Sequence, residues 1–320
     1  MQTFRNIVKT DFEAVDQLIL SQLHSEVRLI EQIGHYLIEA GGKRLRPLLV
    51  LLAARASGYK ANRHIELAVI IEFVHTATLL HDDVVDTSEM RRGQFTANTQ
   101  WGNAPSILVG DFLYSRAFQI MVGLDNIDIM RVLADTTNII SEGEVQQLEH
   151  IGNSNLDEQA YLQVIGNKTA QLFEGAGHAA AILSNADATH CRALKSYGWH
   201  LGTAFQLVDD ALDYDTKSLD LDKDAGDDLA EGKVTLPLIH AMSHGTDEQV
   251  DFLRKTISDR DSSQLEKVVA IINDTSSLTY TSALAKNHAK KAQQSIALLP
   301  PSMYRSAMHD LADFAVERTF

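Results

Sequence analysis

The chain has 320 residues, 45% hydrophobic and 22% charged, an ordinary globular composition that excludes a mainly disordered or collagen-like chain. Its 28 Lys and Arg against 43 Asp and Glu leave a formal net charge of −15, which argues against general affinity for nucleic acid or anionic lipid. The single cysteine, Cys191, excludes an internal disulfide and a cysteine-built zinc site and points to a reducing compartment.

The opening residues, Met1 to Asn6, lack the apolar core of a signal peptide. The most apolar stretch, Pro47 to Ala54, lies between Arg46 and Arg55 and is far too short to cross a bilayer. A soluble, cytoplasmic protein without a transmembrane segment is expected. Apolar residues recur at three and four: Leu18, Leu20, Leu23, Val27, Ile30 and Ile33 predict one early helix or a pair. A second, strongly apolar helix is predicted over 65–87. Further helical patterns cover 104–122, 127–149, 157–184, 188–215, 235–243, 247–257 and 262–298, with a last one after Pro300-Pro301. No Asn-Gly or Asp-Gly pair supplies a hairpin signal. The expectation is a single all-α domain over 1–320. The 65–87 and 188–215 helices are apolar on most of their circumference, which places them inside a bundle and makes their polar residues informative.

The first of these helices closes on Asp82-Asp83-Val84-Val85-Asp86. At 3.6 residues per turn Asp82 and Asp86 share a face, with Asp83 beside them. Three carboxylates at a helix C-terminus repel one another and oppose the macrodipole. A divalent ion resolves both conflicts, and all-oxygen donors point to magnesium or manganese. Taken alone the motif could also be a solvated helix end. However, Asp209-Asp210-Ala211-Leu212-Asp213 repeats it after another apolar run, 127 residues on, which no local charge run explains. Cations lie nearby in the sequence: Arg91-Arg92 just beyond Asp86, His75 two turns before Asp82, and Lys43-Arg44-Leu45-Arg46 after Gly41-Gly42, with Lys43 and Arg46 spaced to converge. Basic residues beside carboxylates in so acidic a chain suggest a metal-bridged, phosphate-bearing ligand. The plainer reading, that Arg91 and Arg92 only neutralise the aspartates, leaves Lys43 to Arg46 unexplained.

Three weaker patterns compete. Asp220, Asp222, Asp224, Asp228 and Glu231 match EF-hand positions, but Ala225 stands where the turn needs glycine. Gly175-Ala176-Gly177 imitates a dinucleotide fingerprint without a preceding strand, so close helix packing is expected there. Gly226 to Lys233 misses the P-loop in spacing and at Val234.

The chain resembles the trans-isoprenyl (polyprenyl) diphosphate synthases, most closely the bacterial octaprenyl type. The resemblance runs from about Ser25 to the C-terminal helix. It rests on Gly41 to Pro47, His75 to Asp86, Met90-Arg91-Arg92-Gly93, Val109-Gly110-Asp111-Phe112, Gly143-Glu144, Lys168-Thr169, Phe205 to Asp210 and Glu231-Gly232-Lys233. It implies an isoprenoid-synthase-type bundle of long helices around a deep cavity, usually a homodimer. It implies further that Asp82, Asp86 and Asp209 bind Mg2+, with Mn2+ as a substitute. Lys168 joins them in catalysis, and Arg91, Lys168, Thr169, Gln206, Lys223 and Lys233 hold the allylic diphosphate (farnesyl or geranylgeranyl). Lys43, Arg46, His75 and Arg92 would hold isopentenyl diphosphate. One departure is Asp222 before Lys223, where the family usually has glycine, which weakens the role carried to Lys223.

The chemistry expected is ionisation of the allylic C–O bond, attack on the resulting cation by the double bond of isopentenyl diphosphate, and proton loss. Apolar helix faces would keep water from the cation. The product, a quinone side chain precursor, is expected at about C40, because Ala77 and Thr78 are small where short-chain relatives carry an aromatic. Phe118 and Met121 are candidates for a deeper floor. A farnesyl or geranylgeranyl synthase is the alternative. A terpene cyclase would not need Lys43 to Arg46, a non-catalytic partner subunit would be expected to lack one aspartate motif, and a calcium-binding helical protein would rest on Asp220 to Glu231 alone.

Overall fold

The computed structural model describes residues 1–39, 41–91, 93–215 and 226–317. In chain order the helices are α1 (Gln2–Ile7), α2 (Lys9–Gln22), α3 (Arg28–Glu39), α4 (Leu45–Ala56), α5 (Arg63–Val85), α6 (Ala97–Trp101), α7 (Asn103–Gly123), α8 (Ile127–Glu149) and α9 (Glu158–Ile165). They continue with α10 (Gln171–Leu183), α11 (Ala188–Leu212), α12 (Asp227–Glu231), α13 (Leu236–His244), α14 (Asp247–Asp259), α15 (Leu265–Asp274), α16 (Ser277–Ser295) and α17 (Met303–Val316). Among the described residues the strands are β1 (Met90–Arg91) and β2 (Gln94–Phe95), paired antiparallel with Gly93 at φ +70° between them. The fold is all-α, as the helical periodicities predicted.

Two compact units divide the chain. The first holds residues 1–137, 172–198 and 295–311, and the second 138–171, 199–294 and 312–320. In the first unit α5 is the central helix, with residues 67–74 all buried. Its length and apolar composition would suit a membrane span, but this burial makes it a core helix. Its buried Glu72 faces Arg44 at 3.9 Å, and Arg44 also pairs with Asp16, so the carboxylate inside the core has a cation. Antiparallel to α5 runs α7: Arg63 donates to the Gly123 carbonyl at 2.8 Å and Ser106 to the Leu80 carbonyl at 3.2 Å. Gly175 and Gly177 serve close packing, as the sequence suggested. A Cβ would lie 2.6 Å from Thr136 Oγ1 at the first and 2.4 Å from the Leu194 carbonyl oxygen at the second.

Three sequence expectations need correction, and one helix gave no signal. The pattern over 262–298 is not one helix: Ser276 adopts φ +56°, and the chain restarts as α16 with Ser277 buried. The pattern over 157–184 is interrupted by a π-helical turn, Gly166–Ala170. In α11 the first half, up to residue 200, buries only a stripe (Ala193, Leu194, Tyr197), and the helix becomes buried on most sides only from Leu201 onward. Helix α4 had no periodic signal because Pro47 to Ala54 are all buried, leaving no polar face to mark the turn.

Candidate active site

In the first unit the chemistry gathers at the end of α5. His75, Thr78, Leu79, Asp82 and Asp86 form a half-buried stripe at spacings of three and four, so the aspartates share a face with His75 and Thr78. Asp83 points the other way. It is 2% exposed and receives Arg91 Nε at 2.8 Å and Nη2 at 2.7 Å. Burial pushes the Asp83 carboxyl above its ordinary value, against the pull of the Arg91 charge. The Arg91 guanidinium is raised in turn: burial opposes its charge, but Asp83 together with Asp82 and Asp86 outweighs burial.

The turn after Asp86 is clasped from outside. Asn98 donates its Nδ2 to the carbonyls of Asp83 and Ser88, each at 3.1 Å, and Thr96 donates its hydroxyl to Ser88 O at 2.7 Å. Tyr36 donates to the Phe95 carbonyl at 2.6 Å, tying the hairpin to α3. Beside α5, Gly110 leaves room for His81, whose Nε2 would lie 2.4 Å from a Cβ at that glycine.

Gly41 at φ +70° and Arg44 at φ +44° turn the chain before α4, so Lys43 and Arg46 do not share a helix, the geometry on which their expected convergence was argued. Arg5 donates to the Gly42 and Lys43 carbonyls at 2.9 and 3.2 Å, fixing the loop backbone, while the Lys43 side chain is exposed. Arg46, on α4, lies 3.0 Å from His75 Nε2, with its guanidinium 4.4 Å from the Phe173 ring centre. The structure therefore brings Arg46 and His75 together as the sequence grouped them. Phe173 was missed, since its partner lies 127 residues away. Arg92 and Lys223 lie outside the described residues.

In the second unit the site is built on the π-helical turn. Lys168 donates to Glu144 Oε2 at 2.5 Å and Gln147 Oε1 at 2.8 Å. Gly143 permits that approach, because a Cβ there would lie 2.7 Å from the Lys168 backbone nitrogen. π turns of this kind are frequent at functional sites. Thr169 donates to Gln206 Oε1 at 2.9 Å, and Gln206 donates Nε2 to Asp210 Oδ1 at 2.6 Å. Tyr161, which the sequence reading passed over, donates to Asp210 Oδ2 at 2.5 Å. Asp210 and Asp213 are 4% and 6% exposed, and Asp209 is half-buried. Lys233 pairs with Glu231 at 2.5 Å.

The first motif thus turns Asp83 to a protein partner and keeps Asp82 and Asp86 part-exposed, while the second buries Asp210 and Asp213, the latter accepting from Asp228 N at 3.3 Å, and keeps Asp209 part-exposed. Among the described residues the one group of three potential metal donors within 4.8 Å of one another is His309, Asp310 and Asp313, all exposed and remote in sequence from both motifs. One or two oxygen donors per helix end, rather than a closed cage, fit a hydrated magnesium ion, which keeps waters and takes phosphate oxygens.

Residues 27–275 match the family model described as polyprenyl synthetase. The chain belongs to the polyprenyl synthetase family. It is a prenyltransferase, a long-chain trans-polyprenyl diphosphate synthase. Octaprenyl diphosphate synthase of Haemophilus influenzae is 48% identical over 317 residues, 99% of this chain and 96% of that protein. A Caulobacter crescentus polyprenyl synthase, solved with calcium and isoprenyl diphosphate, superposes with a TM-score of 0.95 at 42% identity, covering 98% of this chain and 97% of its own. A Rhodobacter capsulatus decaprenyl diphosphate synthase gives 0.94 at 42% identity, covering 99% and 98%.

Proposed function

We propose that this synthase extends an allylic diphosphate, farnesyl or geranylgeranyl, with isopentenyl diphosphate to an all-trans C40 product. The observation that carries the reading is the division of labour at the two aspartate motifs, each with at least one buried, protein-anchored carboxylate beside at least one part-exposed carboxylate. The 48% identity to an octaprenyl synthase supports C40 in particular. Incubation with farnesyl and isopentenyl diphosphates and Mg2+, followed by mass analysis, should give C40. A product stopping at C20 would establish the shorter-chain alternative instead.

In this reading Asp82, Asp86 and Asp209 are the ligands of Mg2+, or of Mn2+ in its place. When bound, the ion supplies positive charge against the departing diphosphate. Lys168, held by Glu144 and Gln147, adds a fixed ammonium for the allylic diphosphate, with Thr169, Gln206, Arg91, Lys233 and Lys223 alongside. Because Arg91 is engaged by Asp83, it acts on that substrate from a fixed position. Lys43, Arg46, His75 and Arg92 take isopentenyl diphosphate. The proton lost at the end goes to released diphosphate, so no protein base is assigned.

Arg46→Ala should raise the KM for isopentenyl diphosphate by roughly one to two decades, the scale of one charge-assisted contact, with little change for the allylic substrate. Steady-state kinetics with each substrate varied in turn check this, and a shift confined to the allylic KM would show the two sites exchanged.

The two units work as one catalytic domain in this reading, because their boundaries fall inside α8 and α11 rather than in an exposed linker. The protein is cytoplasmic and homodimeric. Leu108, Val122 and Ile127, at 65%, 59% and 66% exposure, offer apolar surface for a second copy.

A further inference from the structure

Tyr161 has no role in the reading above, yet it stands at one end of a hydrogen-bond chain that reaches two of the substrate residues. It lies on α9 at 3% exposure, with its hydroxyl on Asp210 Oδ2. Gln206, one turn before Asp210 on α11, places its amide NH2 on Oδ1, and its carbonyl oxygen accepts from Thr169. The directions follow from one another. A carboxylate accepts only, so both its neighbours must donate. With its NH2 turned to Asp210, the Gln206 amide presents its oxygen to Thr169, and an amide oxygen only accepts, so the Thr169 proton must point to Gln206. Burial first, and then the Asp210 charge, hold the phenol well above its ordinary pKa, so Tyr161 remains a donor.

We propose that Tyr161 is a positioning residue for the allylic site: by fixing Asp210 it sets the Gln206 amide and, through it, the Thr169 hydroxyl. Thr169, with its proton committed to Gln206, is thereby held in one orientation at the allylic site. Asp210 is the anchor of its motif and Asp209 the working carboxylate. The inference rests on the assignment of Asp209, Thr169 and Gln206 to the allylic side.

Tyr161→Phe keeps the ring and removes the donor. It should raise both the KM for the allylic diphosphate and the Mg2+ concentration for half-activation roughly tenfold, the scale of a hydrogen bond to a charged group. The KM for isopentenyl diphosphate should stay within about twofold. In a Gln206→Leu background the same change should add little, because the two act in series. If Tyr161→Phe does not fold, as judged by thermal unfolding, Asp210→Asn carries the same test, since it also breaks the fixed sense of the chain. A uniform loss of kcat with both KM values unchanged, full additivity with Gln206→Leu, or no kinetic effect at all would overturn the proposal. Its failure is separable from failure of the functional reading. If Asp209→Asn abolishes turnover while Tyr161→Phe changes nothing, only the positioning role falls; full activity in Asp209→Asn removes the reading beneath it.

Discussion

Asp82→Asn and Asp209→Asn should each lower kcat by at least roughly 100-fold, with folding unaffected. The magnitude is that of losing one electrostatic stabiliser of developing charge. Asparagine keeps the shape and one oxygen donor but removes the charge that a divalent ion needs. Both carboxylates are part-exposed at helix ends, so the change breaks no core packing and thermal unfolding should shift little. Chelation by EDTA should abolish turnover in the unmodified enzyme, and added Mg2+ or Mn2+ should restore it. Near-normal kcat in either variant, or in EDTA, would sink the metal-dependent mechanism. Asp83 makes the contrast: it is buried and its carboxylate holds Arg91, so Asp83→Asn should be felt first in stability, through loss of an ion pair whose acidic member lies in the core.

Ala77→Tyr should shorten the product from C40 to C15–C20 while leaving ionisation of the allylic diphosphate intact. Ala77 lies five residues before Asp82, a drop of about 7.5 Å along α5. The contacts Arg63 to Gly123 and Leu80 to Ser106 set the antiparallel register of α5 and α7. By that register Met121 lies level with the first turn of α5, about 26 Å below Asp82. Phe118, tilted against Tyr114 with ring centres 5.2 Å apart, comes about one turn sooner. A tail that passes Ala77 therefore has several further turns of helix before it meets these side chains, and a tyrosine near the top removes most of that depth. Ala77 is fully buried, whereas Thr78 is part-exposed on the Asp82 face, so Thr78→Phe should shorten the product as well and with less disturbance of the core. Met121→Ala should lengthen it. Mass analysis of the extracted products checks all three, and wild-type product from both Ala77→Tyr and Thr78→Phe would end the chain-length reading.

What was legible in the sequence was what depends on residues close together in it. Apolar spacing gave α8 its full extent and α7 and α5 to within about two residues, because a helix repeats its own geometry every 3.6 residues. The same arithmetic put Asp82 and Asp86 on one face, and the recurrence at Asp209 made both motifs stand out. Arg46 and His75 were grouped through the family resemblance, and the structure joins them at 3.0 Å. Burial on all sides hid α4, since a helix without a polar face has no period to read. Tertiary structure alone decided which carboxylates of each motif turn inward. Asp83 follows Arg91 and Asp210 follows Tyr161, and these choices depend on partners carried by a hairpin and by a different helix. The π turn under Lys168 was likewise invisible, because it is fitted against α8 through Gly143 and against Trp199 through Gly166. Local periodicity fixes which way a side chain leaves its own helix, but the free energy of burying a charge is set by what meets it there, and that comes from elsewhere in the chain.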